Sequence, residues 1–185
     1  MSLIQSYKDF LTKENNEFIT NTLLGNSFPY YLSDQDVRHQ SDPSNPSFKI
    51  FCHTVLQREE YRSPNEYWNS KYKNQTLSIL DNFFKKAGFK KVKLFRIAYN
   101  YTFNIGIKQS TVHVDHQHDH FQVVIYLSDT LDKDTPTILV DKDNKVLEKS
   151  YPEKGKGVLF KKIPHYHVFP KEGARLVLVA TFQEI

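Results

Sequence analysis

Residues 113–127 have the sequence His-Val-Asp-His-Gln-His-Asp-His-Phe-Gln-Val-Val-Ile-Tyr-Leu, in which a cluster of ionisable side chains leads directly into an apolar run typical of a β-strand. Four of the eight histidines of the protein lie in the first eight positions of this stretch. Residues 111–115 are also predicted to form a strand. Because alternate side chains of a strand share one face, we expect His113 and Asp115 to point the same way.

Short apolar runs of the same kind fill the chain from about residue 90 onward. Turn signals such as Asp-Lys-Asp-Asn (141–144) separate them, and no helix-length pattern interrupts them, so the sheets should be largely antiparallel. We expect a mainly β fold with flanking helices, in which a double-stranded β-helix (jelly-roll) barrel opens into a ligand cavity. The predicted strands are 92–101, 111–115, 121–127, 137–140, 157–160, 165–169 and 175–182.

The spacing of apolar residues before residue 90 is mostly helical. A helix is predicted over 64–87, with Ser63 as its N-cap, Pro64 at the first helical position and Glu66 completing a capping box. An earlier helix is predicted over 13–24. These helices are expected to support the barrel.

The whole chain, 1–185, is expected to form a single domain. Its helical support region is predicted at 1–90 and its jelly-roll core at 91–185. Between the two predicted helices, the Pro- and Ser-rich residues 41–47 are predicted to form a loop.

The composition excludes several classes of protein. Twenty-five Lys and Arg against 21 Asp and Glu leave a formal charge of +4, which does not indicate a nucleic-acid partner. The single cysteine, Cys52, allows neither an intramolecular disulfide nor a Cys-based zinc site, and it is expected to be buried and inert. The sequence shows no secretory signal pattern and no apolar run long enough for a membrane span, so a cytoplasmic location is expected.

The pair His113 and Asp115 supplies two ligands of a metal site, and the third is expected from His165 or His167. Two histidines and one carboxylate on one face of a metal leave the opposite positions open, as Fe(II) oxygenases require. A zinc hydrolase also uses such ligands, with one open position for water. The ligand set by itself therefore leaves the choice of metal open.

Arg175 lies ten residues after His165, at the start of an apolar predicted strand. A guanidinium in such a strand is costly to bury unless it has an anionic partner. Across the turn at 171–173, Arg175 and His165 can both face the barrel interior. Arg175 would then offer a planar fork to one end of a short dicarboxylate that chelates the metal at its other end. Pairing with a structural carboxylate is the alternative.

The order of motifs resembles the prolyl-4-hydroxylase-like branch of 2-oxoglutarate/Fe(II) dioxygenases, and small phage and bacterial oxygenases of this branch look most similar. The resemblance covers roughly residues 28 to 182. It is carried by Phe28-Pro29-Tyr30-Tyr31, Arg96-Ile97-x-x-Asn100, His113-x-Asp115, Tyr126-Leu-Ser-Asp129, Pro152-x-x-Gly155-x-x-x-x-Phe160, and His165 with Arg175 ten residues on.

The resemblance implies an enzyme that binds Fe(II) and 2-oxoglutarate, consumes O₂ and hydroxylates an unidentified substrate, with release of succinate and CO₂. It implies that His113, Asp115 and His165 are the iron ligands. It also assigns 2-oxoglutarate contacts to Arg175, Tyr126 and Asn100, with Arg175 and Tyr126 on the distal carboxylate.

The sequence departs from the family pattern in two places. Asp134-Thr135-Pro136-Thr137 stands where the family usually has Gly-Gly-x-Thr. The proline expected four residues after the distal histidine lies five after His165 and three after His167. His167 therefore stays an alternative third ligand, although the spacing to Arg175 favours His165.

Two other functions remain open from the sequence. One is a cupin-like metalloprotein without 2-oxoglutarate, in which His116 and His118 pair with His165 and His167. The other is a non-catalytic barrel that only binds a ligand. In the leading interpretation, His116, His118 and His120 line the cavity mouth or face solvent, and one of them can orient a metal ligand.

Overall fold

The computed structural model describes residues 4–35, 48–61 and 68–185. Ten strands and two α-helices are described in these ranges, and a π-helical turn, Ile19–Leu23, directly continues the first helix. The strands are β1 (Ile4–Tyr7), β2 (Tyr31–Gln35), β3 (Phe48–Leu56), β4 (Val92–Phe103), β5 (Phe121–Tyr126), β6 (Thr137–Val140), β7 (Val146–Ser150), β8 (Gly157–Lys161), β9 (His165–His167) and β10 (Ala174–Glu184). The helices are α1 (Lys13–Phe18) and α2 (Lys73–Ala87), and a 3-10 turn covers Glu59–Tyr61.

The strands form two sheets. The large sheet has seven strands in the order β1-β8-β5-β10-β4-β3-β2, and the small sheet has three in the order β7-β6-β9. Every described strand pair is antiparallel. The predicted mainly β fold with antiparallel sheets is therefore confirmed. The sheets are separate rather than one closed barrel, so the double-stranded β-helix arrangement stays a prediction.

The N-terminal half contributes strands as well as helices. β1 pairs with β8, and β3 pairs with β4, so both extend the large sheet. The prediction that residues 1–90 are a helical support region is wrong in this respect. Strands such as β3 gain their stability from backbone partners distant in sequence, which local apolar spacing does not reveal.

The helix predicted over 64–87 is shorter than expected. α2 begins at Lys73, whereas Trp68 forms an isolated β-bridge with Leu56. The predicted capping residues Ser63, Pro64 and Glu66 and the predicted loop 41–47 lie outside the described residues. None of the helices in the described ranges has the length and apolarity needed to span a membrane.

The two faces of the large sheet serve different purposes. One face carries Ile97, Tyr99 and Leu178, which pack with Phe83 of α2 into the main core. On the opposite face, Val177 and Val179 of β10 pack with Leu139 of the small sheet. Because side chains alternate along a strand, Arg96, Asn100 and Arg175 also fall on this second face, toward the space between the sheets. We refer to it as the inner face.

Candidate functional site

A cavity that is partly open to solvent lies between the inner face and the small sheet. Its walls combine valines with an unusual number of polar and ionisable side chains. The polar and ionisable side chains in the wall include Arg96, Asn100, His113, Asp115, Gln122, Thr137, His165, His167 and Arg175.

The cavity brings His113, Asp115 and His165 together at one end. Backbone hydrogen bonds of 3.0 and 2.9 Å join His113 to His165 in both directions, and their ring centroids are 4.5 Å apart. Nε2 of His113 lies 3.9 Å from Oδ1 of Asp115. The two side chains converge as predicted, but the predicted strand at 111–115 is wrong, because only His113 forms a bridge. The carbonyl of Asp115 accepts a bond from the Arg58 guanidinium instead of a strand neighbour.

Backbone carbonyls fix the tautomers of both histidines. Nδ1 of His113 donates to the carbonyl of Thr111 at 2.9 Å, and Nδ1 of His165 donates to the carbonyl of Ile163 at 3.0 Å. With Nδ1 engaged in this way, Nε2 is the nitrogen of each ring that is left for a metal, as in metal-ligating histidines. Burial, together with the neighbouring His113, lowers the pKa of His165 to about 4, so its imidazole is neutral.

Asp115 is an ionised carboxylate held by two arginines. Its Oδ1 lies 3.0 Å from Nη2 of Arg58 and 3.6 Å from Nη1 of Arg96. Burial opposes ionisation, but the combined positive charge of Arg96 and Arg58 outweighs it and places the pKa of Asp115 well below its usual value. This end of the cavity therefore offers two imidazoles, of which that of His165 is neutral, and one anionic oxygen ligand.

This donor set fits a divalent ion chemically, but its atoms lie farther apart than they would around a bound ion. Ligands in adjacent octahedral positions lie about 3 Å apart, whereas Nε2 of His113 and Oδ1 of Asp115 are 3.9 Å apart. In the described part of the chain, no three His, Cys, Asp or Glu side chains already have metal-site spacing. The contact with Arg58 draws the Asp115 carboxylate away from His113, and Gln122 donates to Nε2 of His165 at 3.1 Å.

Arg175 occupies the other end of the cavity. It is 2% exposed, its Nη2 donates to Oγ1 of Thr137 at 2.6 Å, and its guanidinium carbon lies 5.2 Å from the ring centre of Tyr126. Its Nε has no hydrogen-bond partner among the described residues. Burial lowers the pKa of Arg175, and no described carboxylate offsets this effect. The alternative of a structural carboxylate partner thus gains no support.

Tyr126 and Asn100 also lie at this end. Tyr126 is fully buried, and its hydroxyl donates to the carbonyl of Ser150 at 2.6 Å and lies 3.0 Å from Oγ1 of Thr137. Its ring forms the floor beneath Arg175. Asn100 lines the cavity, and its buried Oδ1 has no hydrogen-bond partner in the described ranges. Tyr126 therefore supports the guanidinium, while Asn100 has a free polar atom inside the cavity.

His167, the alternative third ligand, lines the same cavity. It shares a strand face with His165 but lies closer to the Arg175 end. Burial and the charge of Arg175 hold its pKa well below the usual value. The structure brings His165, rather than His167, against the ring of His113.

The remaining histidines of the 113–120 stretch form a cluster beside the end of the cavity that contains His113, Asp115 and His165. His116 is buried and lies 2.7 Å from Oγ1 of Thr181, and His120 is also buried. His118 is exposed and packs edge-on against Phe95. The expectation of a cavity-mouth or solvent position is met only by His118. These contacts separate His116 and His118 from His165, which disfavours a cupin-like ligand set.

From the sequence, no role was assigned to four residues of the site, which are Arg58, Arg96, Gln122 and Thr137, although Arg96 belongs to one of the motifs that carry the resemblance. Arg96 and Gln122 had a usable signal, because each is a polar residue inside an apolar predicted strand, as Arg175 is. Arg58 follows the unpredicted strand β3, so no pattern in the sequence indicated it.

Among protein-family models and curated proteins, none matches this sequence. Solved structures do match. A 2OG-Fe(II) oxygenase family oxidoreductase from Burkholderia pseudomallei has a TM-score of 0.72 at 13% identity, over 98% of this chain and 85% of that one. A prolyl hydroxylase from Trichoplax adhaerens, in complex with a hypoxia inducible factor peptide, has a TM-score of 0.63 at 14% identity, over 98% and 84%.

A third structure, the viral collagen prolyl hydroxylase of Paramecium bursaria Chlorella virus-1 in its 2OG complex, has a TM-score of 0.57 at 11% identity, over 100% of this chain and 97% of that one. At such identities the likeness concerns the fold. The fold resembles that of 2OG-Fe(II) oxygenases, including prolyl hydroxylases, and the resemblance found in the sequence is confirmed at this level.

Proposed function

We propose that the chain is an Fe(II)- and 2-oxoglutarate-dependent oxygenase that hydroxylates its substrate and releases succinate and CO₂. The observation that carries this proposal is the composition of one cavity. Two imidazoles and an ionised carboxylate lie at one end, and a buried guanidinium without an acidic partner among the described residues lies at the other. The fold shared with 2OG-Fe(II) oxygenases supports it.

At the metal end, His113, Asp115 and His165 would hold Fe(II), which supplies the oxidising chemistry when it is bound together with 2-oxoglutarate and O₂. The carbonyls of Thr111 and Ile163 keep each Nε2 lone pair directed into the cavity. Three ligands on one side leave the opposite positions for the co-substrate and O₂.

At the far end, Arg175 would bind the distal carboxylate of 2-oxoglutarate. Thr137 takes one guanidinium hydrogen bond and the Tyr126 ring fixes the plane of the group, so the unused donors are held in place for the ligand. Asn100 also lines the cavity, and its side-chain Nδ2, rather than its Oδ1, would be the atom that donates to 2-oxoglutarate. Val177 and Val179 provide an apolar part of the cavity wall.

Visible spectroscopy under anaerobic conditions tests the proposal. Fe(II) and 2-oxoglutarate added together should give a weak charge-transfer band near the middle of the visible range, and admission of air should then yield succinate. The Asp115→Asn variant should lose both signals, while the control His118→Gln, at an exposed position, should keep both. Absence of both signals in the unaltered protein would refute the proposal, provided that its melting curve shows a folded chain. A metal-dependent product without 2-oxoglutarate would indicate a cupin-like function instead.

A further inference from the structure

Two guanidinium groups share one carboxylate at the metal end of the cavity. Nη2 of Arg58 and Nη1 of Arg96 lie 3.0 and 3.6 Å from the same oxygen, Oδ1 of Asp115. Their side chains are 19% and 10% exposed, so both are more accessible than Arg175, and Arg96 lines the cavity. One carboxylate balances the charge of only one of two partly buried arginines.

The proposed function increases this imbalance. Asp115 would give its charge to a divalent ion, which adds two positive charges to those of Arg58 and Arg96. Against these four charges stand Asp115, the metal-binding carboxylate of 2-oxoglutarate and Glu60, whose Oε1 lies 3.9 Å from Arg58. Within the described part of the chain, one positive charge would then stay uncompensated.

The two arginines differ in how they depend on Asp115. Arg58 also donates to the backbone carbonyl of Asp115, a bond that survives when the carboxylate turns to a metal. Arg96 forms its only described ion pair with Asp115, and it lines the cavity. A partly buried guanidinium that loses its carboxylate needs a new anion, because desolvated charge is costly without a partner.

We propose that Arg58 and Arg96 form a subsite for an oxyanion group, a carboxylate or a phosphate, of the substrate that is hydroxylated. This inference rests on the proposed function and specifies its substrate class as acidic. Guanidinium forks suit both planar carboxylates and phosphates. An acidic group held here lies beside the metal ligands, and a neutral substrate would leave the positive charge buried.

Titration with small anions tests the subsite without a known substrate. Mn(II) replaces Fe(II) as a redox-silent ion, 2-oxoglutarate is saturating, and inorganic phosphate or acetate is added in separate calorimetric titrations. Tighter binding of phosphate than of acetate would indicate a phosphorylated substrate, and the reverse a carboxylate. Arg58→Gln and Arg96→Gln should each weaken binding about 10- to 100-fold, because each removes a charge-assisted contact. The control Lys8→Gln removes one exposed charge elsewhere and should have no effect.

The outcomes separate the subsite from the proposed function. Failure of the unaltered protein to bind Mn(II) and 2-oxoglutarate overturns both. Binding of these two without binding of either anion overturns the subsite alone, and so does anion affinity that both arginine variants leave unchanged. If added phosphate instead raises the apparent Kd of 2-oxoglutarate in proportion to its concentration, the anion competes at Arg175 and the separate subsite is refuted.

Discussion

Replacement of Arg175 by Gln separates co-substrate binding from metal binding. Arg175 is 2% exposed, and its guanidinium donates one hydrogen bond to Thr137. Its Nε has no partner among the described residues, so its other donors are available to a ligand in the cavity. Loss of one partner of a buried, hydrogen-bonded charge pair costs about 2–5 kcal/mol. At about 1.4 kcal/mol per factor of ten, the Kd of 2-oxoglutarate should rise at least about 30-fold.

The metal should be bound almost as before, because Arg175 contacts none of His113, Asp115 and His165 in the described hydrogen bonds and ion pairs. Thermal stability should stay equal or increase, since the substitution removes a buried charge without an acidic partner. Anaerobic titration of 2-oxoglutarate into the Fe(II)-loaded protein gives the Kd of 2-oxoglutarate. A Mn(II) titration monitored by electron paramagnetic resonance gives the Kd of the metal. Arg175→Lys is the matched control, with the charge kept and the fork lost, and should give an intermediate Kd.

Two results would refute this reasoning. Unchanged affinity for 2-oxoglutarate would mean that Arg175 does not hold the co-substrate. An equal loss of metal and 2-oxoglutarate binding, with a lower melting temperature, would mean that the residue holds the fold together rather than the ligand.

Three further outcomes are expected. Arg58→Gln should strengthen Mn(II) binding roughly fivefold, because it removes a cation that competes for Asp115; weaker binding in the same titration would show that Arg58 orients the carboxylate. Gly157→Ala should destabilise the fold by about 1–3 kcal/mol in urea unfolding, because the new Cβ would lie 2.6 Å from a ring carbon of the fully buried Phe83; an unchanged midpoint would mean that the ring moves freely. Burial lowers the pKa of His53, so below about pH 6.5 the unfolded chain takes up a proton that the folded chain does not, and stability should be full above that pH and fall below it. The free energy of unfolding should fall less steeply with decreasing pH in His53→Gln, and equal slopes in the two proteins would contradict this assignment.

The sequence predicted the parts of the site that are chemically costly to place elsewhere. A carboxylate two positions after a histidine, and an arginine at the start of an apolar strand, both need partners inside the fold, so residue type and spacing were enough to predict that these side chains face a common cavity. The structure brings His113 to His165 and leaves Arg175 without an acidic neighbour among the described residues, as those arguments require. The antiparallel arrangement followed from the absence of helices between short strands.

The parts that were not predicted depend on contacts distant in sequence. β1 and β3 are strands because β8 and β4 provide their backbone partners, and no local periodicity reports such a partner. The segment 111–115 has a strand-like sequence but follows another path, because Arg58 satisfies the carbonyl of Asp115. The role of Arg58 could not be predicted from the sequence, because its contact with Asp115 exists only in the folded chain.

The two ends of the cavity rest on supports of different stiffness. Arg175 belongs to β10, which is hydrogen-bonded on both sides, whereas Asp115 lies in an irregular segment anchored by a single bridge and an arginine. Amide hydrogens of β10 should exchange with solvent far more slowly than those of the segment around Asp115. In the proposed oxygenase, such a division would let the segment beside the metal ligands accept new side chains, and with them new substrates, while the binding of 2-oxoglutarate at Arg175 is kept.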